Sequence, residues 1–118
     1  MNNEDARYKI LRILESTPEI SQRELAEKLG VSLGKVNYCL QALVAKGLVI
    51  SRNFSQSNNK GRYLYLLTPS GIERKARMAR EFLNRKISEY EILRKEIEQI
   101  QRDLDEREIA DNRGSDKF

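Results

Sequence analysis

Between Pro69 and about Ile109 the sequence contains no helix breaker except Gly71, which falls in the first turn. A run of that length forms a helix on the order of 60 Å long at ~1.5 Å per residue. No small domain can cover such a helix from end to end, so the chain must divide into a compact part and an extended one. Apolar residues make up 39% of the 118 and charged residues 34%, which keeps the core of the compact part small. In the extended part Leu83, Ile87, Tyr90, Leu93, Ile97, Ile100 and Leu104 step by 4, 3, 3, 4, 3 and 4 residues. This is a heptad-like seam with one short step, which locally overwinds a supercoil. No later segment is available to cover Leu93 onward, so a partner helix is expected on the stripe. The spacing leaves parallel and antiparallel pairing open. From Asp111 to Phe118 the periodicity is lost, and a disordered tail is expected.

The compact part reads as three short helices and a hairpin. Tyr8, Ile10, Leu11, Ile13 and Leu14 recur at helical spacing from about Asp5 to Glu15, and Pro18 ends that helix by restricting the residue before it. Ser21-Gln22-Arg23-Glu24 has the form of a capping box, opening a second helix with Leu25, Ala26 and Leu29 inward. Gly30 terminates it, because glycine enters the left-handed conformation without penalty. Ser32 caps a third helix with Val36, Leu40 and Leu43 inward, ending at Lys46-Gly47. Leu48–Phe54 and Arg62–Leu67 are β-rich runs joined by a polar loop, which makes a hairpin. Tyr63 and Tyr65 alternate with Leu64 and Leu66, so one pair faces the core, and alternation does not say which. Thr68-Pro69 then starts the long helix, with threonine as cap and proline at its first position. The expected fold class is mainly α with a small β-hairpin (α+β).

Composition excludes several kinds of chemistry. Histidine is absent and Cys39 is the single cysteine, which removes disulfide frameworks, His- or thiolate-based zinc sites and imidazole-dependent catalysis. Carboxylates such as Glu89, Glu96 and Asp103 lie along a solvated helix, where such spacing serves ion pairing. An enzyme is not expected, nor a cofactor or metal. Cys39 fits a small buried hydrophobe better than a redox sensor. No apolar run approaches the ~20 residues of a membrane span, and the start MNNEDARYK lacks a signal-peptide core, so a soluble cytoplasmic protein is expected. The net charge of +4 is unevenly spread: residues 1–86 carry 16 basic and 8 acidic side chains, residues 87–118 carry 6 and 10. From Lys28 to Ile72 there is no Asp or Glu at all, and an acid-free basic stretch suits a polyanion.

Two short helices joined at a glycine turn, a third helix and a hairpin follow the order of a winged helix-turn-helix. The string SQRELAEKLGVSLGKVNYCLQALVAKGLV, followed by YLYLLTPSGIE, resembles the MarR family of bacterial transcriptional regulators. The resemblance runs from about Ile10 to Phe82. It is strongest at Leu25–Ser32, at Lys46-Gly47-Leu48-Val49 and at Leu67-Thr68-Pro69-Ser70-Gly71. The short length and terminal seam are similar to the exopolysaccharide-associated members. Two departures stand out. The family usually pairs through a helix ahead of the domain together with terminal helices, and here the pairing is expected to rest on the C-terminal helix. The family's wing often carries Asp-x-Arg, where this chain has Asn59-Lys60-Gly61-Arg62, so the wing arginine lacks its acidic anchor. The resemblance implies residues 1–81 as the DNA-binding domain including the start of the long helix, 82–110 as the dimerisation helix and 111–118 as the tail. Many members bind phenolic ligands, but no polar cluster here specifies an effector pocket.

The residue types support DNA as partner on their own. With Val36, Leu40 and Leu43 in the core, the other face of the third helix carries Leu33, Gly34, Asn37, Tyr38 and Gln41, with Lys35 beside them. Asn37 and Gln41 lie one turn apart, and each carboxamide can pair bidentately with adenine. Gly34 lowers helix propensity by about 1 kcal/mol against alanine, which a close backbone approach to DNA would explain, as would a chance weak point. Ser32 sits at a helix N-terminus suited to a phosphate. Leu33 can meet a thymine methyl, and Tyr38 a phosphate or sugar. In the wing, Lys60 suits a phosphate and Arg62 a narrow minor groove. Arg52, Lys28 and Gln22 are backbone-contact candidates. Each could be an ordinary surface residue, but as a set on one helix and wing they favour double-stranded DNA. The expected function is a homodimeric regulator reading an inverted repeat. The alternative is a protein-interaction adaptor that uses the domain as scaffold and the seam to recruit a partner.

Overall fold

The computed structural model describes residues 1–53 and 63–115. Its elements are α1 (Asn3–Ser16), α2 (Gln22–Leu29), α3 (Leu33–Ala45), β1 (Val49–Asn53), β2 (Tyr63–Leu67) and α4 (Pro69–Ser115). Met1–Phe82 form one compact unit, and the helix from Leu83 onward forms another.

The first three helices each begin at a side chain that accepts from an otherwise unpaired amide. Asn2 Oδ1 accepts from Asp5 N–H at 2.7 Å. Ser21 Oγ accepts from Glu24 N–H at 3.1 Å, and Ser32 Oγ from Lys35 N–H at 3.1 Å. The asparagine cap starts α1 two residues earlier than the apolar pattern indicates. At α2 the return bond of the capping box goes from the Ser21 hydroxyl to Glu24 Oε1 (3.1 Å). Two helices end on left-handed glycines, Gly30 at φ 66° and Gly47 at φ 72°. In each case the next amide reaches back to a carbonyl near the helix end, Val31 N–H to Ala26 O and Leu48 N–H to Leu43 O.

The core gathers Ala6, Ile10, Leu11 and Leu14 from α1, Leu25 and Ala26 from α2, and Val36, Cys39, Leu40 and Leu43 from α3. Ile20, Leu48, Val49 and Tyr65 close it, and no polar or charged side chain other than tyrosine is buried among the described residues. Each fully buried leucine or isoleucine contributes about 1.5–3 kcal/mol of burial free energy, so a core this small depends on most of its members. Cys39 is wholly enclosed, as expected of a small hydrophobe. β1 and β2 pair antiparallel from Val49↔Leu67 to Asn53↔Tyr63. Tyr65 is the buried strand position, but Tyr63 is 45% exposed and Leu64 and Leu66 are half-buried. Neither pair therefore faces the core as a whole, because only the middle of the strand lies over it. Tyr65 N–H also donates to Pro18 O at 3.0 Å, which ties β2 to the α1–α2 connection.

One junction joins the exit of α3 to the entry of α4. Thr68 Oγ1 donates to Gly47 O at 2.7 Å and accepts from Gly71 N–H at 3.0 Å, while Thr68 N–H donates to Leu48 O at 3.0 Å. Gly71 is buried there, and a Cβ on it would overlap the Leu48 carbonyl oxygen. The glycine that the sequence tolerates in a first turn is therefore needed for close backbone approach. The first turns of α4 dock onto α1: Met78 packs on the core, Phe82 lies 5.1 Å from the Tyr8 ring, and Lys75 pairs with Glu15.

From Leu83 the helix carries ion pairs along its length, including Lys86–Glu89 (3.0 Å), Arg94–Glu91 (2.9 Å) and Arg94–Glu98 (2.7 Å). The tail expected from Asp111 is helical as far as Ser115, because nothing in Asp111-Asn112-Arg113 breaks the backbone ladder; residues 116–118 lie outside the described residues. The arrangement of residues 1–82 is that of a winged helix. Replacing Gly71 with alanine is expected to lower unfolding free energy by about 1–3 kcal/mol, the range for overpacking, in urea denaturation. Gly34→Ala, where an added Cβ meets nothing within 4 Å, serves as the control that should not destabilise.

Candidate nucleic-acid interface

The geometry of α3 follows from its two faces. Val36, Cys39, Leu40 and Leu43 take the inward stripe, which turns Leu33, Gly34, Tyr38 and Gln41 outward. Leu33 is 47% exposed and Tyr38 57%, and Val44 nearer the end of the helix is 40% exposed. Lys35 is half-buried, its ammonium donating to the Met1 carbonyl. Ser32 uses its oxygen as the cap, and as a hydroxyl it can also donate to an outside acceptor. The helix N-terminus contains no acidic residue in its first turn, so its unpaired amides face no competing carboxylate of that turn.

Asn37 and Gln22 differ most from a simple surface reading. Asn37 Nδ2 donates to Gln22 Oε1 at 3.2 Å, and Gln22 Nε2 donates to the Tyr65 hydroxyl at 3.1 Å. Both contacts are partly buried and link α3, α2 and β2 in one chain. Gln22, expected to clamp a DNA backbone, has its carboxamide oxygen and one amide hydrogen engaged inside the domain. Its place in the first turn of α2 sets it beside α3 and under the hairpin. The Asn37 amide nitrogen carries two hydrogens, so one donation leaves the other, and the carbonyl oxygen, for a base edge. A buried tyrosine needs a partner for its hydroxyl, and that requirement was the available signal for this chain of bonds.

Beside the exposed face of α3 runs a groove of about 430 Å³, bounded by Gln41, Val44 and Ala45 on the helix and by Ser51, Tyr63 and Tyr65 on the strands. Gln22 and Asn37 also line it. Val44, Ser51 and Tyr63 were not singled out from sequence, since their adjacency depends on how the hairpin lies against α3. Arg52 is exposed on β1, and Lys28 is exposed in the last turn of α2. Lys60 and Arg62 lie outside the described residues. The seam residues from Leu83 to Leu104 are all between 46% and 62% exposed. Among the described residues no cluster of three potential metal ligands occurs, and no helix is long and apolar enough to cross a membrane.

Tyr65→Phe is expected to reduce stability by about 1 kcal/mol, since the partly buried Gln22 amide loses its acceptor. Urea denaturation checks this, and a change within ~0.3 kcal/mol would mean that water replaces the bond.

Residues 4–50 match the family model for winged helix-turn-helix DNA-binding domains. Among solved structures, the fold is similar to a MarR transcriptional regulator from Methanosarcina mazei Go1, with 22% identity, TM-score 0.54, and coverage of 70% of this chain and 60% of that one. It is similar to wild-type MarR from E. coli in its apo form, with 29% identity, TM-score 0.55, and coverage of 64% and 54%. It also resembles the transcriptional regulator BldR from Sulfolobus solfataricus, with 23% identity, TM-score 0.58, and coverage of 71% and 60%. The chain thus spans less than two thirds of the length of each. No curated protein matches it.

Proposed function

This chain carries a MarR-type winged helix-turn-helix fold, and from that premise we propose that it is a sequence-specific DNA-binding regulator acting as a homodimer on an inverted repeat. The observation that carries the reading is the outward face of α3. Leu33, Tyr38 and Gln41 stand exposed there beside Asn37, within a stretch from Lys28 to Ile72 that contains no acidic residue. α3 enters the major groove, with Asn37 and Gln41 reading base edges and Leu33 against a thymine methyl. Ser32, Lys35, Tyr38 and Arg52 contact the backbone, and Gly34 lets the main chain come close. The wing carries Lys60 to phosphate and Arg62 to the minor groove. Gln22 acts one step back, holding Asn37. Pairing through the exposed seam of α4 supplies the second half-site reader. Half-sites are then ~10 bp apart, or a multiple, centre to centre.

Selection of bound duplexes from a random library at near-physiological salt tests this. An enriched inverted repeat with fixed spacing is expected. Weak retention without enrichment would contradict the reading and favour the adaptor. Six phosphate contacts per dimer should lower affinity ~1,000-fold between 50 and 200 mM salt.

Two substitutions separate the roles. Asn37→Ala should relax preference at one base position per half-site, whereas Arg52→Ala should weaken all sequences alike and flatten the salt dependence. Gly34→Ala should raise stability by about 0.5–1 kcal/mol and yet weaken DNA binding, because a methyl intrudes where backbone meets DNA. Unchanged affinity in that variant would remove the close approach.

A further inference from the structure

The seam of α4 reads almost the same in both directions. Counted inward from its two ends, Leu83 corresponds to Leu104, Ile87 to Ile100 and Tyr90 to Ile97, with Leu93 next to the centre. All of these side chains are exposed. We propose that two copies of this chain pair through this helix in antiparallel orientation, with Leu93 next to the two-fold axis. The inference rests on the homodimer reading above and adds its geometry.

The charges flanking the seam choose between orientations. Antiparallel helices bring together residues of the same flank, and parallel helices bring together residues of opposite flanks. In the antiparallel register set by the seam, Lys86 faces Asp103 of the second copy, and Glu91 faces Arg94 of the second copy. By symmetry each pair occurs twice. Asn84 faces Gln101 of the second copy, amide against amide. In a parallel pair Lys86 would face Glu91, but Asp103 would face Glu108, two carboxylates repelling each other. Antiparallel pairing therefore has two attractive flanking contacts and none repulsive, while parallel pairing, in which Glu89 would also face Arg94, has two attractive and one repulsive. The short step from Tyr90 to Leu93 fits the same picture. It lies beside the centre of the antiparallel register, so the regular spacing on either side still meets its counterpart. Within one copy Lys86 bonds Glu89, and Arg94 bonds Glu91 and Glu98, so the contacts across the pair exchange with these.

Two measurements test the proposal. The first places nitroxide labels at Asn84→Cys in a Cys39→Ala background and reads the distance between copies. Antiparallel pairing predicts a separation on the order of 30 Å, from nineteen residues of helical rise. A separation of about 10–20 Å, as expected for helices side by side in the same direction, would overturn it. The second uses no label. Asp103→Lys is expected to weaken the dimer roughly two- to ten-fold, because it sets a second lysine against Lys86, and Lys86→Glu added to it should restore the original dissociation constant. In a parallel pair Asp103→Lys would instead tighten the dimer by relieving the repulsion from Glu108. Failure of that rescue, with a well-folded dimer, would overturn the orientation and leave the homodimer standing. A monomer at tens of micromolar in sedimentation equilibrium would overturn both.

Discussion

The contact of Gly71 with the Leu48 carbonyl holds the architecture together. Residues 1–82 work only if the chain, having left α3, makes its hairpin and returns to the place it left. Thr68 closes that circuit by bonding Gly47 and Leu48 on one side and Gly71 on the other. Since both partners at the closest point are main chain, no side-chain rearrangement can absorb a larger residue there. The hairpin is thus fixed at its base, and α4 leaves from a defined point beside α3.

From this junction the polar chain Asn37–Gln22–Tyr65 extends the same logic to the exposed face. The base reading proposed for Asn37 requires that the donor and acceptor edges of its amide be held in one orientation. Gln22 supplies that hold from α2, and Tyr65 anchors Gln22 from β2. The three elements that converge on the groove are therefore linked by directional bonds as well as by apolar packing, which alone would allow side chains to rotate. Such an arrangement suits a surface meant to discriminate among sequences.

Most of the fold was legible in the residues because local rules dominate it. Ser21 and Ser32 as caps, Gly30 and Gly47 as terminators, and the inward stripe of α3 all depend on neighbours within a few positions. What was not legible depends on contacts distant in sequence. The inward turn of Tyr65 rather than Leu64 or Leu66 is decided by Pro18 and Gln22, more than forty residues away. Gln22 looked like a surface amide for the same reason. Asn2 was missed as a cap because the apolar pattern begins later, and the helical stretch beyond Asp111 because loss of apolar periodicity does not by itself end a helix. Of the candidate interface, the exposed face of α3 follows from its periodicity, whereas the groove beside the strands exists only once the hairpin is placed.

The central claim is that α3 and the hairpin form a DNA-binding face. Amide chemical-shift mapping tests it most directly, with a mixed-sequence duplex added to the labelled protein at low salt, where sequence-independent binding is strong. The account predicts perturbations concentrated on Ser32–Gln41 and around Arg52, with the seam from Leu83 to Leu104 unaffected. Perturbations confined to that seam, or none at all at saturating DNA, would contradict it.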